Sequence, residues 1–284
     1  MTKFTYPSVM TVAGFDPSGG AGIQADIKTI SALGCYATSV LTALPVQNTC
    51  GVRSIHSIPL EVVGEQIRAV MDDIVPQAIK IGMVHSSELV DVIVEGLGEY
   101  ASAGGEVDAG WRDRIVFDPV MVATSGHKLI EDQTISAIAE RLFPLAAIIT
   151  PNMDEAAVLA EMAIETVDDM YVAGRKILAL GCRALLLKGG HLRTAQLTSL
   201  FFAPDGSVTE LHSPRYDTHN THGSGCTLSS AIASFLARGE SLPDAVARAQ
   251  SYVTEAIRCG RDVTIGRGNG PLNHFHNPEK LILN

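Results

Sequence analysis

Residues 8–33 read SVMTVAGFDPSGGAGIQADIKTISAL, and the order of their parts decides the fold. SVMTVAG (8–14) is a short, almost continuously apolar run, a glycine-dense turn follows it, and a helix-like stretch occupies 21–33. A strand with no polar alternation is buried on both faces, and a helix directly after it makes the first half of a βα unit. The same succession recurs down the chain. AIKIGM (78–83), RIVFDPV (114–120), AAIITPN (146–152) and ALLLKGG (184–190) read as further buried strands. Helix-like stretches occupy 60–73, 87–97, 132–142, 153–161 and 167–180, and two more follow at 225–237 and 242–258. Such alternation predicts an α/β fold with a mostly parallel sheet and helices on both faces. TSLFFAPDGSVTELHS (198–213) differs, because two strand-like runs flank PDG, which predicts a hairpin. GEYASAGGEVDAGWRDR (98–114) reads as a surface loop. No internal repeat, low-complexity linker or shift in composition divides the chain, so residues 1–284 read as a single domain.

Apolar residues make up 46% of the 284 and mean hydropathy is +0.20, which is ample material for a buried core. Only 18% of residues are charged, which argues against long disordered tails. The formal charge of −10 gives no general attraction for nucleic acid or anionic lipid. An anionic ligand must then be held locally, by backbone N–H groups and a few lysines. Cys35, Cys50, Cys182, Cys226 and Cys259 are scattered without a CxxC pair, the usage of reduced thiols. The N-terminus shows no apolar leader segment, and no run approaches the roughly 18 to 20 apolar residues of a membrane span. These features predict a soluble, cytoplasmic protein.

The candidate strands end in AGFDPSGG, GMVHSS, DPVMVATSG, TPNMDE and KGGHLR. In open α/β sheets ligands bind beyond the carboxyl ends of the strands, so these loops share one predicted crevice. AGFDPSGGAGIQADIKT (13–29) fits neither a Walker A loop nor a GxGxxG fingerprint. It suits close approach to a ligand, and equally an ordinary βα turn. THGSGCT (221–227) leads into the apolar LSSAIASFLA. The N–H groups of Gly223, Ser224, Gly225 and Cys226 would converge at a helix N-terminus, whose dipole favours an anion. A glycine-rich N-cap without a ligand is the alternative. Asp118, Asn152 and Glu155 follow two strand ends and suit a hydrated Mg2+, although each alone reads as a turn or cap residue. Lys188, at the tip of ALLL, needs an anionic partner, either a ligand or a nearby carboxylate. His219, His222 and Cys226 match no zinc-site spacing, and Cys226 lacks the setting of an acyl nucleophile.

In this order AGFDPSGGAGIQADIKT, TALPVQNT, IKIGM, DPVM, TPNMDEA, KGGH, GSGCT and GPLNHF resemble the bacterial hydroxymethylpyrimidine/phosphomethylpyrimidine kinases of thiamine synthesis, members of the ribokinase-like superfamily. The resemblance covers about residues 8–276. It implies a ribokinase-like three-layer sandwich that uses ATP and Mg2+. The implied reaction phosphorylates 4-amino-5-hydroxymethyl-2-methylpyrimidine and then its monophosphate. It further implies that Gln47, Gly14, Asp26, Met83 and Val120 form the pyrimidine pocket. By the same resemblance Asp118, Asn152, Lys188 and Thr227 hold the nucleotide, and Asp118 and Glu155 hold Mg2+ through water. Gly223, Ser224, Gly225, Cys226 and Lys188 become the catalytic group, and a homodimer is implied. Segment 98–114 is longer than the connection usual in that family.

A free thiol titrates near ~8.5 and a helix N-terminus lowers that value, so Cys226 is expected to accept the alcohol proton as a thiolate. The triphosphate would oppose that second negative charge. Two other readings stay open at this stage. One is a pyridoxal kinase on the same cysteine-bearing scaffold, and the other a non-catalytic pyrimidine-binding module.

Overall fold

In the computed structural model, which describes residues 4–102, 110–121, 130–190, 192 and 196–283, strand and helix alternate from the first element onward. β1 (Ser8–Ala13) leads through the glycine-dense turn to α1 (Gly22–Ala32) and β2 (Tyr36–Leu41). β3 (Ala43–Asn48) and β4 (Gly51–Ser57) follow, then α2 (Leu60–Met71), β5 (Ala78–Ile81) and α3 (Ser87–Ser102). β6 (Ile115–Phe117), α4 (Asp132–Ala137), β7 (Ile148–Ile149), α5 (Met153–Ala160), α6 (Val167–Leu178) and β8 (Leu185–Leu187) complete the repeating part. The hairpin of β9 (Gln196–Phe202) and β10 (Val208–Pro214) precedes α7 (Ser224–Ala237) and α8 (Leu242–Gly260).

Among the described residues the main sheet has eight strands in the order β10-β9-β8-β7-β6-β5-β1-β2. Pairing is parallel from β2 to β8, while β9 runs antiparallel to both its neighbours. The chain leaves β1 to one side, for β2, and returns to the other, for β5. That reversal opens a crevice beyond the carboxyl ends of β1 and β5.

The period-2 alternation of the strands sorts the core into two layers. Met10, Val12, Ile79, Ile81 and Phe117 pack with α2, α3, α5 and α6. Val9, Ala78, Val116 and Ile148 pack with α1, α7 and α8. This is the predicted three-layer α/β fold. β1 and β5 carry Thr11 and Lys80 on the α1/α7 side, where the two residues are register partners.

Three expectations change. The stretch 132–142 is not a uniform α-helix, because a π-helical turn, Ile138–Leu142, continues α4. Segment 98–114 is not wholly a surface loop: α3 extends to Ser102, and a 3-10 turn at Gly110–Arg114 buries Trp111 in the core. Residues 103–109 of that segment lie outside the described residues, as do 122–126 of the predicted DPVMVATSG loop and His191 and Arg193 of KGGHLR. Finally, residues 43–57, for which the pattern gave no strand, form a two-stranded antiparallel ribbon apart from the main sheet. β3 alternates between buried and exposed side chains, but β4 is almost wholly exposed.

Candidate active site

A cavity of about 730 Å3 opens beyond the strand ends. β1 delivers Gly14 to it, β5 Met83, β6 Asp118 and Val120, β7 Asn152 and Glu155, and β8 Lys188. Gln47 reaches it from the β3–β4 ribbon. The register between β3 and β4 shifts between Val46 and Gln47, an irregularity of the kind that re-aims a side chain. Gly223, Ser224, Gly225 and Cys226 line it from the N-terminus of α7. Sequence reasoning therefore named residues from remote segments that converge in space.

Two named residues do not line it. Asp26 is fully buried, accepting from Thr11 Oγ1 at 2.6 Å, from Ser230 Oγ at 2.7 Å and from Lys80 Nζ at 2.8 Å. It is a buried carboxylate that does not line the cavity, against its expected place among the pocket residues. Thr227 is also buried, and its hydroxyl donates to the Gly223 carbonyl at 2.9 Å inside the first turn of α7. It ties the first turn of α7 together and does not line the cavity.

The N-terminus of α7 supplies an anion cradle, with one donor fewer than expected. Ser224 N–H donates to the Thr221 carbonyl at 3.1 Å, while no acceptor among the described residues meets the N–H groups of Gly223, Gly225 or Cys226. Unpaired N–H groups of a first helical turn are ready anion donors. Gly223 takes φ 82°, and a Cβ placed on it would lie 1.8 Å from the Gly20 carbonyl oxygen. The two glycine-rich loops of the sequence are thus in direct contact, and no other residue fits at this position.

Asp16 ties those loops together. Its Oδ1 accepts from Ser18 N–H at 2.9 Å, and its Oδ2 accepts from Gly20 N–H at 3.1 Å and Ala21 N–H at 2.7 Å. His222 Nε2 lies 2.9 Å from the same Oδ2. Burial alone would push the Asp16 carboxyl up, but His222, Gln47, Ser18 and Ala21 hold it well below the usual carboxylate range. His222, considered above only as a metal ligand, is a loop anchor, and its own N–H donates to the Gly270 carbonyl at 3.1 Å.

Lys188 finds the carboxylate partner that burial demanded. Its Nζ donates to Asp118 Oδ1 at 3.0 Å, and that oxygen also accepts from Thr150 Oγ1 at 3.1 Å. A Cβ on Gly225 would stand 3.1 Å from Lys188 Nζ, so the lysine lies directly against the cradle. Burial acts to lower the Lys188 ammonium, and Asp118 and Glu155 more than offset it, so the group stays charged. Asn152 N-caps α5 in a capping box: Oδ1 accepts from Glu155 N–H at 2.9 Å, and Glu155 Oε2 accepts from Asn152 N–H at 2.8 Å. Its predicted cap role is therefore real, and its carbonyl oxygen is taken up by it.

Burial and the charge of Asp118 raise the Glu155 carboxyl to about 7, against the opposing pull of Lys188. A carboxyl that a neighbouring carboxylate keeps from ionising suits a cation beside it. Among the described residues no three His, Cys, Asp or Glu side chains gather as a self-sufficient metal site. A metal here would need phosphate or water to complete its shell, which is how Mg2+ is held.

Cys226 departs from expectation. Burial pushes its thiol up to about 11; Lys80 and the Gly22 N–H pull it down, and Asp26 and Asp118 push it further up. The expected lowering is not seen, because loss of water is the largest influence on the thiol.

The other half of the cavity escaped sequence reading. Leu197, Pro214 and Tyr216 face Gln250, Val253 and Ile257, an apolar slot between the hairpin and α8. Gln250, Val253, Thr254 and Ile257 follow the i, i+3, i+4, i+7 spacing of one helix face, a pattern that elsewhere reads as core. No signal in the sequence separated a cavity-facing stripe from a core-facing one.

A family model described as phosphomethylpyrimidine kinase matches residues 16–273. The thiamine biosynthesis bifunctional protein ThiED of Geobacter sulfurreducens is 46% identical over 96% of this chain, which spans 53% of that protein. The hydroxymethylpyrimidine/phosphomethylpyrimidine kinase of Rhizobium meliloti is 43% identical, over 94% of this chain and 96% of that one. Among solved structures, phosphomethylpyrimidine kinase from Clostridium difficile 630 superposes with a TM-score of 0.74 at 41% identity, covering 88% of this chain and 99% of that one. An ADP complex of Bacillus subtilis pyridoxal kinase gives 0.84 at 31% identity, covering 95% and 98%.

Proposed function

The chain belongs to the phosphomethylpyrimidine kinase family, and from that premise we propose a two-step phosphoryl transfer in this cavity. The enzyme is a kinase that phosphorylates hydroxymethylpyrimidine and then its monophosphate, in thiamine biosynthesis. ATP is the donor. The single observation that carries the reading is the unpaired N–H triad of Gly223, Gly225 and Cys226, with Lys188 standing against Gly225. Such a group in an otherwise acidic protein has one evident use, which is to neutralise charge on a transferring phosphoryl group.

Gln47 meets the aminopyrimidine edge, where its carboxamide offers a donor beside an acceptor, and Gly14, Met83 and Val120 close the apolar sides. The slot between Tyr216 and Ile257 takes the nucleotide base, so that the triphosphate crosses the cradle. Lys188 bridges from Asp118 toward the phosphates. Asp118 and Glu155 would hold Mg2+, whose chemistry there would be charge neutralisation at the phosphates. Cys226 accepts the alcohol proton in its thiolate form. Burial raises its thiol, so the thiolate is disfavoured before the alcohol binds, and the backbone cradle acts whatever the state of the thiol. Replacing Cys226 by Ala should lower kcat about 10^2-fold, as loss of a general base does. Near-wild-type turnover of that variant would remove the base role and leave the cradle standing. We read residues 1–284 as one kinase domain that acts in the cytoplasm as a homodimer, which light scattering can test. Among the described residues no helix is long and apolar enough to cross a membrane.

The test is ADP release measured with the pyrimidine alcohol, its monophosphate and pyridoxal as separate acceptors. Release with the first two is expected. The strong likeness to a pyridoxal kinase structure favours a side activity on pyridoxal. Efficient use of pyridoxal with no use of the monophosphate overturns the reading.

A further inference from the structure

The last motif of the series, GPLNHF (270–275), and the GRGN before it (266–269) take no part in the chemistry above. They follow α8, and the chain is exposed there as far as Asn269, with burial setting in at Gly270. Gly270 is the residue whose carbonyl holds His222, next to Gly223 of the cradle. Beyond it, Asn273 N–H donates to the Ala256 carbonyl at 3.0 Å, and Tyr252 Oη donates to the His274 carbonyl at 2.5 Å. The motif is thus fastened to α8 and to the cradle loop.

From that anchor the exposed glycines grip the tip of the β3–β4 ribbon. Thr49 stands in the turn between the two strands. Asn269 N–H donates to the Thr49 carbonyl at 2.9 Å, and Gly268 N–H donates to Thr49 Oγ1 at 3.2 Å. A Cβ on Gly268 would lie 2.0 Å from the Thr49 carbonyl oxygen, and one on Gly266 2.3 Å from Thr49 Oγ1. Only glycine lets a backbone come this close. The base of the ribbon is tied separately: Phe15 N–H donates to the Ala43 carbonyl at 2.9 Å, and Ser57 Oγ lies 3.0 Å from His85 Nε2. Between base and tip β4 is almost wholly exposed, so little packing holds the span. Gln47 sits in that span, two residues before Thr49, and Gln47, Thr49 and Asn269 line the cavity together.

We infer that Thr49 is a positioning residue for the acceptor: the glycine loop holds it, and through it fixes Gln47 over the pyrimidine pocket. The inference rests on the kinase reading, in which Gln47 meets the aminopyrimidine edge. A ribbon released at its tip keeps its base and the core keeps its packing, but the Gln47 carboxamide no longer meets the ring edge in one geometry. The loss then falls on the pyrimidine and not on ATP, whose slot at Tyr216 and Ile257 lies in the other half of the cavity.

The test is steady-state ADP release by the full-length enzyme with the pyrimidine alcohol as acceptor, each substrate varied in turn. Gly266→Ala presses a methyl group against the Thr49 side chain. It should raise KM for the pyrimidine alcohol about 10-fold, the loss of one to two neutral hydrogen bonds, with kcat and the KM for ATP within about 2-fold of wild type. Thr49→Ala gives up only the bond to Gly268 N–H and should raise the same KM about 3-fold. The double variant Gly266→Ala/Thr49→Ala removes the atoms that the methyl strikes, so its KM should fall back to that of Thr49→Ala. Should Gly266→Ala fail to unfold cooperatively in urea, Thr49→Ala carries the test with the same split between the two substrates. An unchanged KM for the pyrimidine alcohol, a rise shared equally by ATP, or a double variant no better than Gly266→Ala overturns the inference. A wild type that releases no ADP with the pyrimidine alcohol refutes the kinase reading instead.

Discussion

Asp16 offers the most direct check on how the two glycine-rich loops are assembled. Asp16→Asn is nearly isosteric and exchanges one carboxylate oxygen for an NH2 group. If that group replaces Oδ2, it faces the Gly20 and Ala21 N–H groups and His222, donor against donor. If it replaces Oδ1, it faces Ser18 N–H, while the Ser18 hydroxyl, now 2.7 Å away, can turn to accept. The second arrangement is the milder one. It forfeits one backbone hydrogen bond and turns the others from charge-assisted to neutral. With roughly 1.5 to 3 kcal/mol for a bond to a charged group against about 1 for a neutral one, one bond lost and three weakened should cost at least about 3 kcal/mol. Urea unfolding at pH 7 measures this. The sign with pH follows from the lowered carboxyl of the native state. The contribution of Asp16 is fully present above the unfolded carboxyl value, near ~3.9, and is lost as pH falls through the native one. The gap between wild type and variant should therefore be flat from pH 5 to 8 and narrow below about pH 4. Release of the loops should also lower kcat/KM at least ~10-fold, because the cradle and Gly14 no longer hold a fixed spacing. A variant within 0.5 kcal/mol of wild type, roughly the scatter of a neutral surface change, with unchanged turnover would refute the reasoning.

Lys188→Met should lower kcat/KM for ATP about 10^2- to 10^3-fold, the range for loss of one preorganised charge donor, in the same ADP-release assay. Glu155→Gln should change how stability depends on pH. The native carboxyl is raised to about 7, so the folded state holds the extra proton and wild-type stability falls as pH climbs from about 4.3 to 7. The variant lacks that slope, and unfolding in chelator at pH 5 and pH 8 should show it gaining on wild type at the higher pH. Gly174→Ala puts a Cβ 2.2 Å from the Phe202 ring, deep between α6 and β9, and should lower stability by about 1 to 3 kcal/mol without altering turnover per folded molecule.

Much of the architecture was legible because it depends on local pattern. The runs at 78–83, 114–120, 146–152 and 184–190 became β5 to β8, and the helix-like stretches at 60–73, 153–161 and 167–180 became α2, α5 and α6 within a residue or two at each end. The β3–β4 ribbon was not legible, since β4 is almost wholly exposed and sets no period, and the alternation of β3 spans only a few residues. In the site, Gln47, Met83, Asp118, Lys188 and the loop from Gly223 to Cys226 were named correctly as neighbours of one cavity. Asp26 and Thr227 were misplaced, because a motif tells which residues accompany a site and not which side of the floor they occupy.

The chain by itself determined the α/β class, the crevice at the strand ends and an anion cradle before α7, since hydrophobic period and glycine placement are properties of neighbours in sequence. Only the tertiary structure decided the charges. Lys80 was read as part of an apolar strand, and the fold turned it into a buried cation held by a carboxylate 54 residues away. Cys226 was read as an acidified thiol, and burial made it a reluctant one. Proton affinity depends on what surrounds a group in space and how little water reaches it, and residues distant in sequence set both.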